Sequence, residues 1–291
     1  MIWIWLLPAL GAFFIYGIGQ GLVKKWADDV PPAQFCFFLV LAKAVVNLGF
    51  FFFGGDHPPA LDPATRTFAL VGIGAYILEG IGWILYFESV VCGPITIVGT
   101  LSAAYPAFTV LFARIFLGEL LSPLQYFGVA LLITGCLGLS YSPPDGTERG
   151  RGKSWIWMAS LALILWGAAQ TIVKYAYSLP NASEVSLSLF NTIGGALSLG
   201  TYALWRTRGK GLFHHFGKSF LPMGMMAMGD LLVIIASKNG PISIVTPVSG
   251  AYPLVTLAFA WVVLKERLSK LQWAAVALVT AGMFLGPGIG L

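Results

Sequence analysis

The stretch Gly93-Pro94-Ile95-Thr96-Ile97-Val98, running on to Ala104-Tyr105-Pro106, returns as Gly240-Pro241-Ile242-Ser243-Ile244-Val245, running on to Ala251-Tyr252-Pro253. The match continues without a gap, so that Leu117, Glu119, Leu121, Ser122, Leu124 and Gln125 fall on Leu264, Glu266, Leu268, Ser269, Leu271 and Gln272. Roughly half of the positions from Gly93 to Gly138 are identical to their counterparts, which marks a duplicated chain. Fainter echoes precede them. Trp5, Gly17, Gln20, Val23 and Lys24 match Trp155, Gly167, Gln170, Val173 and Lys174, and at a nearby offset Leu48-Gly49 and Glu79 match Leu199-Gly200 and Asp230.

The chain is 57% hydrophobic and 10% charged, against about 25% charged in a soluble domain, and its mean hydropathy is +0.82. It cannot present a polar surface all round and belongs in a lipid bilayer. A spanning helix needs about 20 mostly apolar residues. Ten spans are expected on that measure: Ile2 to Val23, Ala33 to Phe53, Phe68 to Phe87, Pro94 to Phe116, Leu124 to Leu139, Ser154 to Val173, Val185 to Trp205, Phe220 to Ser237, Pro241 to Leu264 and Leu271 to Leu285. The first is read as a retained span, since it lacks a basic leader, contains Trp3 and Trp5 and is followed by Lys24 and Lys25.

The turn-rich stretch from Ser142 to Lys153 divides the chain into a five-helix repeat over 1–141, a linker over 142–153 and a second five-helix repeat over 154–291. An odd number of spans per repeat makes tandem copies point in opposite directions. The fold expected is therefore an all-α membrane protein, ten transmembrane helices in two inverted five-helix repeats, with a site between the halves and alternating access by rocking.

Other function classes are weakly supported. The net charge of +5 sits in short loops, where it is a topology signal and not a nucleic-acid surface. Cys36, Cys92 and Cys136 lack metal-ligand spacing and read as structural thiols; no cofactor or metal is expected. No Walker-type phosphate loop is present. Glu79, Asp230 and His57 lack the nucleophile or metal cluster that an intramembrane enzyme would need.

Leu117-Gly118-Glu119-Leu120-Leu121-Ser122 with Gln125 and Gly128, and Leu264-Lys265-Glu266-Arg267-Leu268-Ser269 with Gln272, resemble the signature ending each half of the EamA family in the drug/metabolite transporter superfamily. The resemblance covers essentially the whole chain. It implies a central cavity lined mainly by the first four helices of each half, small polar or amphipathic substrates of amino-acid-like or organic-cation-like kind, and export somewhat more than uptake or exchange. A multi-pass protein of a bacterial inner (plasma) membrane is expected, with protons as a candidate coupling partner. A non-transporting membrane scaffold is the alternative.

The signature has a local physical meaning. Ser122-Pro123 with Gln125, and Ser269 with Gln272, supply an N-cap and a capping-box partner for the last span of each half. Glu119 and Glu266 lie at the membrane edge, where pairing with Arg114 or Arg267 is expected.

Pro106 and Pro253 cannot donate to the carbonyls of Ser102 and Ser249, so both are expected hinges at which a helix bends. Ser102, Tyr105 and Thr109 form one polar stripe, and Ser249, Tyr252 and Thr256 its mirror. Lys43, Glu79 and Asp230 fall near the middle of their spans, where ionisable groups are costly and face a cavity or each other. A Lys43–Glu79 pair would leave Asp230 unmatched. Tyr76, Trp83 and Tyr86 share the face of Glu79, while Tyr16 and Trp166 occupy equivalent positions in the two halves. The expected substrate-binding set is Glu79, Trp83, Tyr105, Asp230, Tyr252, Ser102, Ser249, Tyr76, Tyr16, Trp166, Lys43 and Asn47, fit for an aromatic ring or an organic cation. Trp3, Trp5, Trp155 and Trp157 open spans and read as interfacial anchors. Gly17 to Gly21 and Gly282 to Gly286 are spacings for close helix contact.

Orientation sets two expectations against each other. The family habit is both termini in the cytoplasm. The loops on the opposite side, however, carry about twelve Lys and Arg, among them Lys24, Lys25, Arg149, Arg151 and Lys153, against about four on the terminal side (Arg66, Arg114, Lys174, Lys238). The charge bias predicts both termini outside.

Overall fold

The computed structural model describes residues 2–26, 29–54, 63–92, 104–140, 154–263 and 269–286. Every regular element among them is helical, the form that satisfies its own backbone where no water is available. The first half contributes α1 (Trp3–Trp26), α2 (Pro32–Phe53), α3 (Pro63–Cys92), α4 (Tyr105–Phe112, continued by a π-helical Ala113–Leu117) and α5 (Pro123–Ser140). In the second half α6 is Ser154–Ala176, and α7 is Glu184–Gly195 continued by a π-helical Ala196–Gly200 and by Thr201–Thr207. It is followed by α8 (Phe216–Asn239), α9 (Ile242–Gly250), α10 (Pro253–Val263) and α11 (Lys270–Leu285).

Each expected span has a helical counterpart. Among the described residues six stretches are long and apolar enough to cross a bilayer, including Ile242–Val263, which takes α9 and α10 together. Tyr105–Leu117, Pro123–Leu139 and Lys270–Leu285 are shorter apolar helices, and a π-helical segment divides α7. Large apolar side chains face outward, Phe53 at 91% and Trp205 at 75% exposure, an arrangement suited to lipid and not to water. Both capping boxes form: Ser122 with Gln125 and Ser269 with Gln272 exchange backbone and side-chain hydrogen bonds. Replacing Ser269 by Ala should lower stability by about 1 kcal/mol, read as a small drop in the thermal midpoint in detergent.

The halves are interleaved, not side by side. α1 packs along α8, α3 along α6, α5 along α11 and α4 along α9. Each contact has its mate when the halves are exchanged: α1 with α8 corresponds to α6 with α3, and α1 with α9 to α6 with α4. The equivalent helices α5 and α11 run antiparallel, since Gly128 meets Gly286 while Gly138 meets Ala275. α1 and α8 are also antiparallel, with Trp5 against Gly240 and Gly19 against Met225. The end at which α1 begins is called the first face and the other the second face. α7 also starts at the first face, where Glu184 pairs with Lys238 near the end of α8. α3 runs parallel to α7, with Gly72 on Phe190, Gly80 on Ser198 and Glu88 accepting from Tyr202.

Several sequence expectations change here. Pro253 does not bend a continuous helix; it starts a new one, with Ala251 and Tyr252 forming the turn between α9 and α10. A proline without an N–H is harmless in a first turn, so a helix that restarts at Pro253 loses no hydrogen bond to it. Pro106 likewise lies in the first turn of α4, while Ser102 and Glu266 lie outside the described residues. Trp5 is 7% exposed and packs on Gly240, so it is a core residue and not an interfacial anchor. Glu119 is engaged by the start of α9 and not by Arg114. Cys36 and Cys136 are buried free thiols. The small-residue spacings do mark close contacts: Gly17 meets Val255, Gly21 meets Phe259, and Gly282 meets the backbone of Gly128 and Leu132.

Candidate functional site

A cavity of about 520 Å3, counting its open mouth, lies between the halves and is lined by Tyr16, Gln20, Glu79, Trp83, Tyr86, Tyr105, Trp166, Gln170, Met226, Asp230 and Tyr252. Seven of the expected residues are therefore brought to one place: Tyr16, Glu79, Trp83, Tyr105, Trp166, Asp230 and Tyr252. They come from helices far apart in the chain. The repeat explains why they converge, because equivalent positions in interleaved halves meet across the middle of the bundle.

The lining is paired across the halves. Tyr16 sets its ring against Gly229 of α8, and Trp166 sets its ring against Gly82 of α3. Those glycines carry the offset that relates Gly93 to Gly240, which aligns Trp83 with Asp230 and Glu79 with Met226. Matching Glu79 to Asp230 by sequence alone was thus one helical turn out. With Tyr105 and Tyr252, Tyr16 and Trp166, and Gln20 and Gln170, most of the wall consists of equivalent pairs. The ring contacts repeat as well: Tyr16 to Tyr252 and Trp166 to Tyr105 both have centroids 5.9 Å apart. Trp166 also lies 4.9 Å from Trp83 and 5.5 Å from Tyr86.

Charge breaks this symmetry. Lys43 Nζ donates to Glu79 Oε1 at 2.9 Å and stands 2.9 Å from Asp230 Oδ2, the latter as a charge contact outside hydrogen-bond alignment. Asp230 is therefore not unmatched, as expected from the sequence, because α2 packs against α8 as well as α3. Its other oxygen accepts from the Tyr16 hydroxyl at 2.5 Å. The Trp166 indole donates to the Glu79 main-chain carbonyl at 3.2 Å. With one ammonium between two carboxylates, the ionised cluster carries a net charge of about −1 in a low-dielectric setting.

The remaining expected residues among those described lie outside the lining. Asn47 donates to Thr192 Oγ1 at 3.2 Å. Tyr76 is buried beside Gly194. Ser249 turns its hydroxyl back to Val245 O at 2.9 Å and Thr256 donates to Gly17 O at 3.0 Å, so of that stripe Tyr252 alone reaches the cavity. Lys43 sits behind the carboxylates, 1% exposed. Gln20, Gln170, Tyr86 and Met226 complete the wall. Gln20 and Gln170 were visible as a repeat echo, Tyr86 as a member of the Glu79 face, and Met226 gave no signal.

At the first face, polar contacts join α6 to α8 and the segment after α4 to the start of α9. There Lys174 Nζ donates to Ser237 O at 2.9 Å and Gly240 O at 2.7 Å, Tyr177 donates to Ile234 O at 2.6 Å, and Glu119 caps α9. Gln20 and Tyr86, nearer the ends of α1 and α3, extend the lining toward the second face.

No curated protein matches the chain. A solved crystal structure is similar in fold, with 18% identity over 98% of each chain and a TM-score of 0.76. The model of the EamA-like transporter family matches residues 3–141 and again residues 153–286. Two matches that together cover nearly the whole chain agree with the duplicated bundle and its outward apolar side chains: this multi-pass integral membrane protein belongs to the EamA-like transporter family.

Proposed function

We propose that the protein is a secondary active transporter that moves small amphipathic molecules bearing an ammonium or aromatic group through the cavity between its halves. The observation that carries this reading is the combination of an aromatic wall of Tyr16, Trp83, Tyr86, Tyr105, Trp166 and Tyr252 with the net negative Lys43–Glu79–Asp230 cluster. Aromatic faces and a desolvated carboxylate both attract organic cations. The antiparallel packing of α5 on α11 supports two inverted five-helix repeats, over 1–141 and 154–291, that rock about the cavity. Ten transmembrane spans, a bacterial inner membrane and protons as the coupling partner complete the proposal, with export as the favoured direction. Pro106 and Pro253, each in the first turn of a helix, are the hinges.

Counterflow in proteoliposomes, screened over organic cations and amino acids, tests it. Tyr105→Phe and Asp230→Asn should each reduce flux by roughly tenfold or more, the scale of a lost charge-assisted hydrogen bond, while leaving thermal stability near wild type. Normal flux in both variants would place the site elsewhere.

A further inference from the structure

Glu119 follows α4 in the first half of the chain, yet its carboxylate serves the second half. Oε1 accepts the Ile242 N–H at 3.0 Å, and Oε2 accepts the Ser243 N–H at 3.0 Å and the Ser243 hydroxyl at 2.6 Å. These N–H groups open α9 and have no partner within their own helix. A carboxylate there also meets the positive end of the helix dipole. The corner between α8 and α9 is held from its other side by Lys174, whose ammonium takes the carbonyls of Ser237 and Gly240 at the negative end of α8. Lys174 and Tyr177 belong to the same half as that corner. Glu119 is the member of this cluster that ties one half to the other.

Between the corner and the cavity lie buried polar groups with no hydrogen-bond partner among the described residues. Tyr76, one turn from Glu79 toward the first face, leaves its hydroxyl unpaired at 3% exposure, and Thr246, one turn into α9 from Ser243, does so at 1% exposure. Asn47 Oδ1 and both polar side-chain atoms of Asn191 are unpaired too. Such groups are costly in a permanently sealed bundle. They suit a surface that is wetted in another conformation.

We propose that Glu119 is a latch between the halves that closes the first-face end of the path, and that Tyr76 and Thr246 line the half-channel it seals. The proposal rests on the transporter reading of the cavity. Its physical content is that loss of Glu119 releases α9 from the first half and lets water reach Thr246 from the first face.

The test is the labelling rate of Thr246→Cys by a charged maleimide, in purified detergent-solubilised protein whose Cys36, Cys92 and Cys136 are replaced by Ala. With Glu119 intact, labelling should be slow. Glu119→Gln should raise the rate roughly tenfold or more, as loss of a charge-assisted cap predicts. Ser243→Ala, which removes one of the three bonds, should give a smaller rise, and the thermal midpoint of each sample establishes that it is folded. Equal rates with and without Glu119, or a rise only in samples that have unfolded in both variants, would overturn the latch. The assay needs no substrate, so the two readings fail separately. Faster labelling without flux of any compound would retain the latch and sink the transport proposal, and flux with unchanged labelling would do the reverse.

Discussion

Replacing Lys43 with Met should destabilise the protein by roughly 3–5 kcal/mol, the usual cost of removing one partner from a buried ion cluster. The side chains of Lys43, Glu79 and Asp230 are 2%, 7% and 10% exposed, and the ammonium lies 2.9 Å from both carboxylates. Without it, two carboxylates face one another in the bundle, with the Tyr16 hydroxyl donating to Asp230. Against a total stability of about 5–15 kcal/mol for a typical protein, the loss should appear as a large fall in the thermal midpoint in detergent. Adding Glu79→Gln and Asp230→Asn to Lys43→Met removes every charge and should recover most of the stability, because the penalty is for unbalanced charge and not for lost contact. Flux should remain lost in that triple variant, since the cavity no longer holds a carboxylate. A triple variant no more stable than Lys43→Met alone would show that packing around the lysine stem, and not electrostatics, holds the cluster.

The second large effect is at the contact of α5 with α11. A Cβ on Gly282 would lie 2.7 Å from Gly128 O and 2.7 Å from Leu132 N. Both are backbone atoms. No rotamer change relieves the clash, so the helices must separate, and the contacts of Gly135 with Val279 and of Gly128 with Gly286 loosen with them. Between lipid-facing helices, close backbone approach supplies the dispersion that hydrophobic burial cannot. Gly282→Leu should therefore cost more than the roughly 1–3 kcal/mol of ordinary overpacking, with Gly282→Ala intermediate. Gly49, which has nothing within 4 Å of an added Cβ, is the control: Gly49→Ala should be neutral or slightly stabilising through helix propensity. Thermal unfolding of the three variants checks the order. Equal stability for Gly282→Leu and wild type would mean that this helix pair contributes nothing to the fold.

The duplication, the bilayer, the positions of the helices, the capping boxes and most of the cavity wall were legible in the amino-acid sequence. Repeated residues occupy equivalent places, so Tyr105, Tyr252, Tyr16 and Trp166 reach one cavity once the halves interleave, Tyr16 against Tyr252 and Trp166 against Tyr105, and midspan charges face inward. The tertiary structure decided the partners. That Lys43 serves Asp230 as well as Glu79 depends on α2 packing on α8, and that Glu119 caps α9 depends on α4 packing against it. It also decided that Trp5 is core, that Ser249 turns back on its own helix, and that Gln20 and Gln170 join the wall. In a bilayer the lipid-facing and core-facing sides of a helix are both apolar, so periodicity hardly reveals which way a helix is rotated. Rotation is fixed by close contacts such as Gly17 on Val255 and Gly82 on Trp166, which form only when the helices pack.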